Sequence, residues 1–193
     1  MQEAFGHVTV LVVVLNAIGL GTLMIGIAAF LRKPPTHRIV PSGILVAWAA
    51  LHLYLHVMLW WRFYGMAVTE SFNFFSYLFL LSGPMVLLFG SALLLPGEED
   101  DGTIDMPAHL DRIYRRLFGL ETAFWLWVLL VGPLVSGAWA PLWELWAAMV
   151  VISLAMAMTR SRPIRIALTT SAWLVQLVFM STVALKLRGV PVG

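Results

Sequence analysis

The stretch Leu51–His52–Leu53–Tyr54–Leu55–His56 lies inside a largely apolar run from Ile39 to Trp61, and its reading decides the fold. A run of that length crosses a hydrocarbon layer of about 30 Å as a helix. Two imidazoles four residues apart then share one helix face, separated by about 6 Å along the axis. Ionisable groups inside a span are costly, face the interior by default and point to function.

Composition agrees. Of 193 residues, 61% are hydrophobic and only 11% charged, and the mean hydropathy is +0.89. That is the balance of a polytopic membrane protein, not of a soluble domain. The chain has no cysteine, which excludes thiolate catalysis, disulfide exchange and cysteine-held zinc or iron–sulfur centres. The small cationic excess sits at span ends, so no nucleic-acid partner is expected. The first apolar run is too long for a signal-peptide h-region and is read as a span.

Outward from the histidines, the expectation is an all-α integral membrane protein: one bundle over residues 1–193 with six transmembrane helices. Their approximate spans are 8–31, 39–61, 72–95, 117–138, 141–158 and 166–185. Three successive helical hairpins fit this order. Gly19, Thr22 and Gly26 form a small-residue ridge on span one that lets another helix approach. Trp60 and Trp61 close span two as an aromatic belt. Ser82–Gly83–Pro84 predicts a kink in span three.

Residues 97–116 combine an acidic loop with an amphipathic helix. Met106, Leu110, Ile113, Tyr114, Leu117 and Phe118 recur on one face, and His109, Asp111, Arg112, Arg115 and Arg116 on the other. This predicts a short cytoplasmic surface helix capped by Asp105, with Arg112, Arg115 and Arg116 against anionic lipid. Loops 32–38, 97–116 and 160–165 carry nine of the twelve lysines and arginines. The positive-inside bias therefore puts these loops in the cytoplasm and both termini outside, in a membrane of the bacterial plasma-membrane type.

Counting along each span at about 1.5 Å per residue places His52, Gln176 and Ser82 near the midplane and Asn16 slightly outward. His56 and Glu144 come out about 9 Å further outward, and Glu121 as far inward. A staircase of His52, His56, Glu121, Glu144, Asn16, Gln176 and Ser82 suits a path for protons or a small cation, because each group replaces hydration that lipid cannot supply. The expected function is therefore a small channel or transporter.

Two other readings fit the same residues. In one, His52, His56 and Glu144 ligate a metal ion, or a histidine and Met149 hold haem, in a membrane oxidoreductase. In the other, the polar groups are interhelical glue in an assembly or regulatory subunit docking through Met106–Phe118. No cofactor is required by the transport reading; metal or haem enters only with the oxidoreductase. The expected partners are the lipid bilayer and either further copies of the chain or another membrane protein.

Overall fold

The computed structural model describes residues 2–32, 38–64, 73–96 and 103–183. Six α-helices are formed among them: α1 (Gln2–Leu31), α2 (Gly43–Tyr64), α3 (Phe74–Leu93), α4 (Met106–Val131), α5 (Trp143–Met158) and α6 (Arg162–Val183). The protein is an all-α membrane protein. Five of these helices are long and apolar enough to cross a bilayer. The remaining one, α5, is apolar but has 16 residues, about 24 Å at helical rise. The acidic loop Glu98–Asp101, residues 33–37 of the basic loop, and Lys186 and Arg188 lie outside the described residues.

Helix α2 is the hub. It touches α1, α3, α4 and α6, while α1 packs most extensively on α3, and α4 on α5. Each sequential pair α1–α2, α3–α4 and α5–α6 is also in contact. The widest interfaces thus run between hairpins as well as within them. Lipid tails are as apolar as leucine, so close packing and polar links hold such helices together. Trp48 of α2 meets Phe118 of α4 edge-on, with centroids 4.8 Å apart. The Trp48 indole donates to Thr169 Oγ1 of α6 at 3.1 Å.

Of the boundaries that differ from the sequence expectation, four have a plain local reason. Span two does not start as helix at Ile39. Ile39–Val40 pairs in parallel with Ile104–Asp105, as strands β1 and β2. Pro41 lacks an N–H and keeps Val40 out of the helical region, so α2 starts only at Gly43, where Ser42 Oγ accepts from Leu45 N at 3.4 Å. Helix α3 starts after Asn73, whose side chain accepts from Ser76 N at 2.9 Å. The amphipathic segment before span four is not a separate element. Asp105 accepts from Ala108 N at 2.8 Å, and one unbroken helix runs from Met106 to Val131. No glycine or proline interrupts it between Pro107 and Val131 except Gly119, whose cost in a packed helix is only about 1 kcal/mol. Lastly, α6 takes in Arg162, with Pro163 in its first turn, where a missing N–H costs no bond.

Pro84 stays inside α3. The carbonyl of Phe79, one turn before it, accepts from the Trp127 indole at 2.6 Å and from Ser82 Oγ at 2.7 Å. At its far end α4 passes into a π-turn, Gly132–Ser136, closed by Gly137 at φ 70°. The chain reverses there and brings α5 back along α4.

The β1–β2 pairing has a topological consequence. It joins the approach to α2 to the approach to α4, so both helices start from the same end of the bundle. The α5–α6 turn reaches that end too, since the Arg165 guanidinium donates to Asp111 at 2.6 Å.

Candidate functional site

His52 and His56 are buried, at 1% and 0% exposure, and face α1, α3 and α4 from the hub helix. Small residues opposite make room for them. A methyl group on Gly90 would stand 2.7 Å from His52 Cε1, and one on Gly19 would overlap the His56 ring. The glycines are where the neighbouring backbones come close enough for their helices to reach both rings.

Every imidazole nitrogen has a partner. His52 Nε2 bonds Glu121 Oε1, and His52 Nδ1 bonds Ser91 Oγ at 3.0 Å. Ser91 Oγ also bonds His56 Nε2 at 2.8 Å, and His56 Nδ1 bonds Asn16 Oδ1 at 2.7 Å. The Asn16 amide then donates to the backbone carbonyl of His56 at 2.9 Å. The result is one chain, Glu121–His52–Ser91–His56–Asn16, drawn from four helices. All five residues are at most 5% exposed.

Donor and acceptor roles in this chain follow from its last link. A carbonyl only accepts, so the Asn16 nitrogen faces it and Asn16 Oδ1 faces His56 Nδ1. Nδ1 must therefore carry a hydrogen. With His56 neutral, its Nε2 accepts from the Ser91 hydroxyl, whose oxygen then accepts from His52 Nδ1–H. His52 Nε2 and Glu121 are left with one proton between them, as carboxylic acid and imidazole or as carboxylate and imidazolium. Both forms have zero net charge, the condition a water-excluding interior demands.

The expected site residues divide. Asn16, His52, His56 and Glu121 come together. Ser82 does not join them; its hydroxyl turns back to its own helix at Phe79, as serines in helices commonly do. Ser91 fills that role instead, and the sequence reading passed over it. The Gly90–Ser91 pair offers no local signal for this, since Ser82–Gly83 is the same small step with a hydroxyl. Gln176 is buried on α6 with no partner for its Nε2. Glu144 is exposed in the first turn of α5.

The expected ligand set His52, His56 and Glu144 is accordingly not assembled. Glu144 faces outward, and no group of three histidine, aspartate or glutamate side chains suited to a metal ion occurs among the described residues. Met149 is buried on α5, but a haem iron would have to displace a hydrogen bond from whichever histidine it used. The imidazoles are built into a hydrogen-bonded chain, which leaves no lone pair directed at an open position.

One end of the chain is open. Glu121 Oε2 is buried without a hydrogen-bond partner, as are Tyr54 Oη, Trp125 Nε1 and Trp146 Nε1. An orphan carboxylate oxygen in a core is a position that water or an incoming proton would occupy. The other end is shut, because the Asn16 amide closes back on the carbonyl of the residue that it serves.

The surface arginines fall elsewhere. Arg112, Arg115 and Arg116 line a hollow at the end of the bundle where α2, α4 and α6 begin. Comparison of the chain with protein-family models, with curated proteins and with solved structures gives no match in any of the three.

Proposed function

We propose that the protein is a small membrane transporter that binds and releases a proton at the buried chain Glu121–His52–Ser91–His56–Asn16. The observation that carries this reading is the unbroken run of hydrogen bonds through two histidines to a carboxyl group, whose donors and acceptors match when it holds one proton more than neutral imidazoles and a carboxylate would. Ionisable groups are rare inside a membrane, and where they occur they mark ion pathways and proton relays.

The chain has a balanced proton shift available. Glu121 gives its Oε1 proton to His52 Nε2, His52 gives its Nδ1 proton to Ser91 Oγ, and Ser91 gives its own to His56 Nε2. Glu121 ends as carboxylate and His56 as imidazolium, while His52 and Ser91 return to neutral with their hydrogens reversed. One positive charge moves from α4 to His56, one turn along the same face of α2, and no heavy atom needs to leave its partner.

Losing the proton altogether is different. With Glu121 a carboxylate and both histidines neutral, His52 turns its Nε2–H to Glu121 and Ser91 donates to His52 Nδ1. His56 Nε2–H donates to Ser91, so His56 Nδ1 is bare and faces the lone pairs of Asn16 Oδ1. Rotating the amide only moves the repulsion to the His56 carbonyl. Deprotonation therefore weakens the bond between α1 and α2, and this couples proton occupancy to helix contact. Such coupling favours a transporter over an open pore, as does an amide end that does not pass protons on.

A second reading has support from that same closed end: Asn16 acts as a hydrogen-bonding clasp, as in an assembly subunit. Proton flux decides between them. Purified protein in proteoliposomes should dissipate an imposed pH gradient faster than empty vesicles, and Glu121→Gln should bring the rate down to that of empty vesicles while the protein stays folded. Wild-type flux equal to that of empty vesicles leaves the clasp.

A further inference from the structure

The hollow at the basic end of the bundle is lined by six arginines that are far apart in sequence. Arg112, Arg115 and Arg116 come from α4, Arg160 from the α5–α6 turn, and Arg162 and Arg165 from the start of α6. Its volume is about 1260 Å³. Asp111 is the one carboxylate among the residues lining it, and that group accepts from Arg165. The Arg165 guanidinium also lies 3.7 Å over the Tyr114 ring, which fixes it against the floor. Apolar side chains line the hollow as well, among them Ile44, Ala47, Ile166 and Trp173.

A cationic rim with an apolar lining, at the end of a membrane bundle, has the polarity of an anionic amphiphile. Guanidinium groups on opposing walls match the oxygens of a phosphate, which accept paired N–H bonds. The N-terminus of α6 on the same rim adds its partial positive charge. Basic pockets between transmembrane helices on one side of the bilayer bind acidic head groups in this way. A plain amphipathic helix would present only the arginines of α4, whereas this hollow adds a second wall from a segment about forty-five residues further along the chain.

We propose that this hollow is a binding site for the phosphate group of an anionic ligand, held between Arg115 and Arg116 on one wall and Arg160 and Arg162 on the other. The same chemistry is offered by a lipid head group and by a soluble phosphate compound. Full-length protein in neutral detergent, heated with short-chain phosphatidylglycerol, short-chain phosphatidylcholine or inorganic pyrophosphate, tests it and separates the sources.

Phosphatidylglycerol is expected to raise the Tm well above the phosphatidylcholine control, in a salt-sensitive way. Arg160→Gln with Arg162→Gln, and separately Arg115→Gln with Arg116→Gln, should each weaken that response about tenfold in ligand concentration. Arg115, Arg116, Arg160 and Arg162 are all exposed, so the variants should fold. A response to pyrophosphate equal to that of phosphatidylglycerol supports the site and assigns it to soluble phosphates. The proposal is overturned if neither probe exceeds phosphatidylcholine. It is equally overturned if only the α4 pair matters, since the hollow then acts as a flat basic helix.

Discussion

His52 on α2 and Glu121 on α4 share a hydrogen bond in a place where neither reaches water: 1% and 2% of the two side chains is exposed. Because His52 is also tied through Ser91 to His56, any change of protonation at Glu121 is felt on α3 and α1 as well. The pair is therefore the end of a chain and not an isolated ion pair.

Glu121→Gln tests the chemistry apart from the packing. The glutamine amide donates to His52 Nε2 and preserves the order of donors and acceptors, but has no proton to give. Proton flux should fall to background, with thermal stability within about 1 kcal/mol of wild type. Glu121→Ala, which leaves His52 Nε2 buried without a partner, should cost more, about 1–3 kcal/mol.

Ser91→Ala removes the hydroxyl between the two imidazoles. The predicted result is two disconnected halves, His52–Glu121 and His56–Asn16, and a loss of flux comparable to that of Glu121→Gln. Thermal unfolding should show a cost of about 0.5–2 kcal/mol, the range of interhelical hydrogen bonds in membranes. Ser82→Ala serves as the control, since that hydroxyl bonds only within α3; its flux should match wild type.

Gly90→Ala and Gly19→Ala press a methyl group onto His52 and His56 respectively. Overpacking of this kind costs about 1–3 kcal/mol. Gly21→Ala, on the same helix as Gly19 and with open space around it, should be neutral or slightly stabilising, which unfolding curves would resolve.

Topology gives an independent prediction. The basic end of the bundle carries the starts of α2, α4 and α6, and the positive-inside bias predicts a cytoplasmic location for it. A tag at either terminus should be reached by antibody in intact cells, and one inserted at 97–102 only after permeabilisation. A C-terminus protected from outside would contradict this orientation.

Much of the fold was legible because hydropathy reports apolar helices directly, and Asp105 marks a helix start by chemistry that sequence displays. The histidine pair was legible for a similar reason: helical spacing fixes which residues share a face. Depth counting also listed Asn16 and Glu121 with the histidines, and these two bond His56 and His52 respectively. It failed for Glu144 and Ser82 because depth says nothing about direction. Glu144 points outward from a first turn, and Ser82 satisfies itself on its own helix. Ser91 was missed since nothing local distinguishes a serine that bridges two rings from one that bonds its own backbone. The arginine hollow was half legible: the α4 stripe shows in the periodicity, but its second wall arrives through tertiary packing alone.

The central claim is that the two histidines hold one proton in common with Glu121. Nitrogen NMR of protein labelled at histidine and embedded in lipid reads this directly. At neutral pH, His56 should be protonated at Nδ1 and bare at Nε2. As pH is raised, the signals of His52 and His56 should change together, with His56 switching to the Nε2–H form. In Glu121→Gln both should stay fixed. Independent titration of the two rings, or an Nε2–H form of His56 at neutral pH in the wild type, would contradict the account.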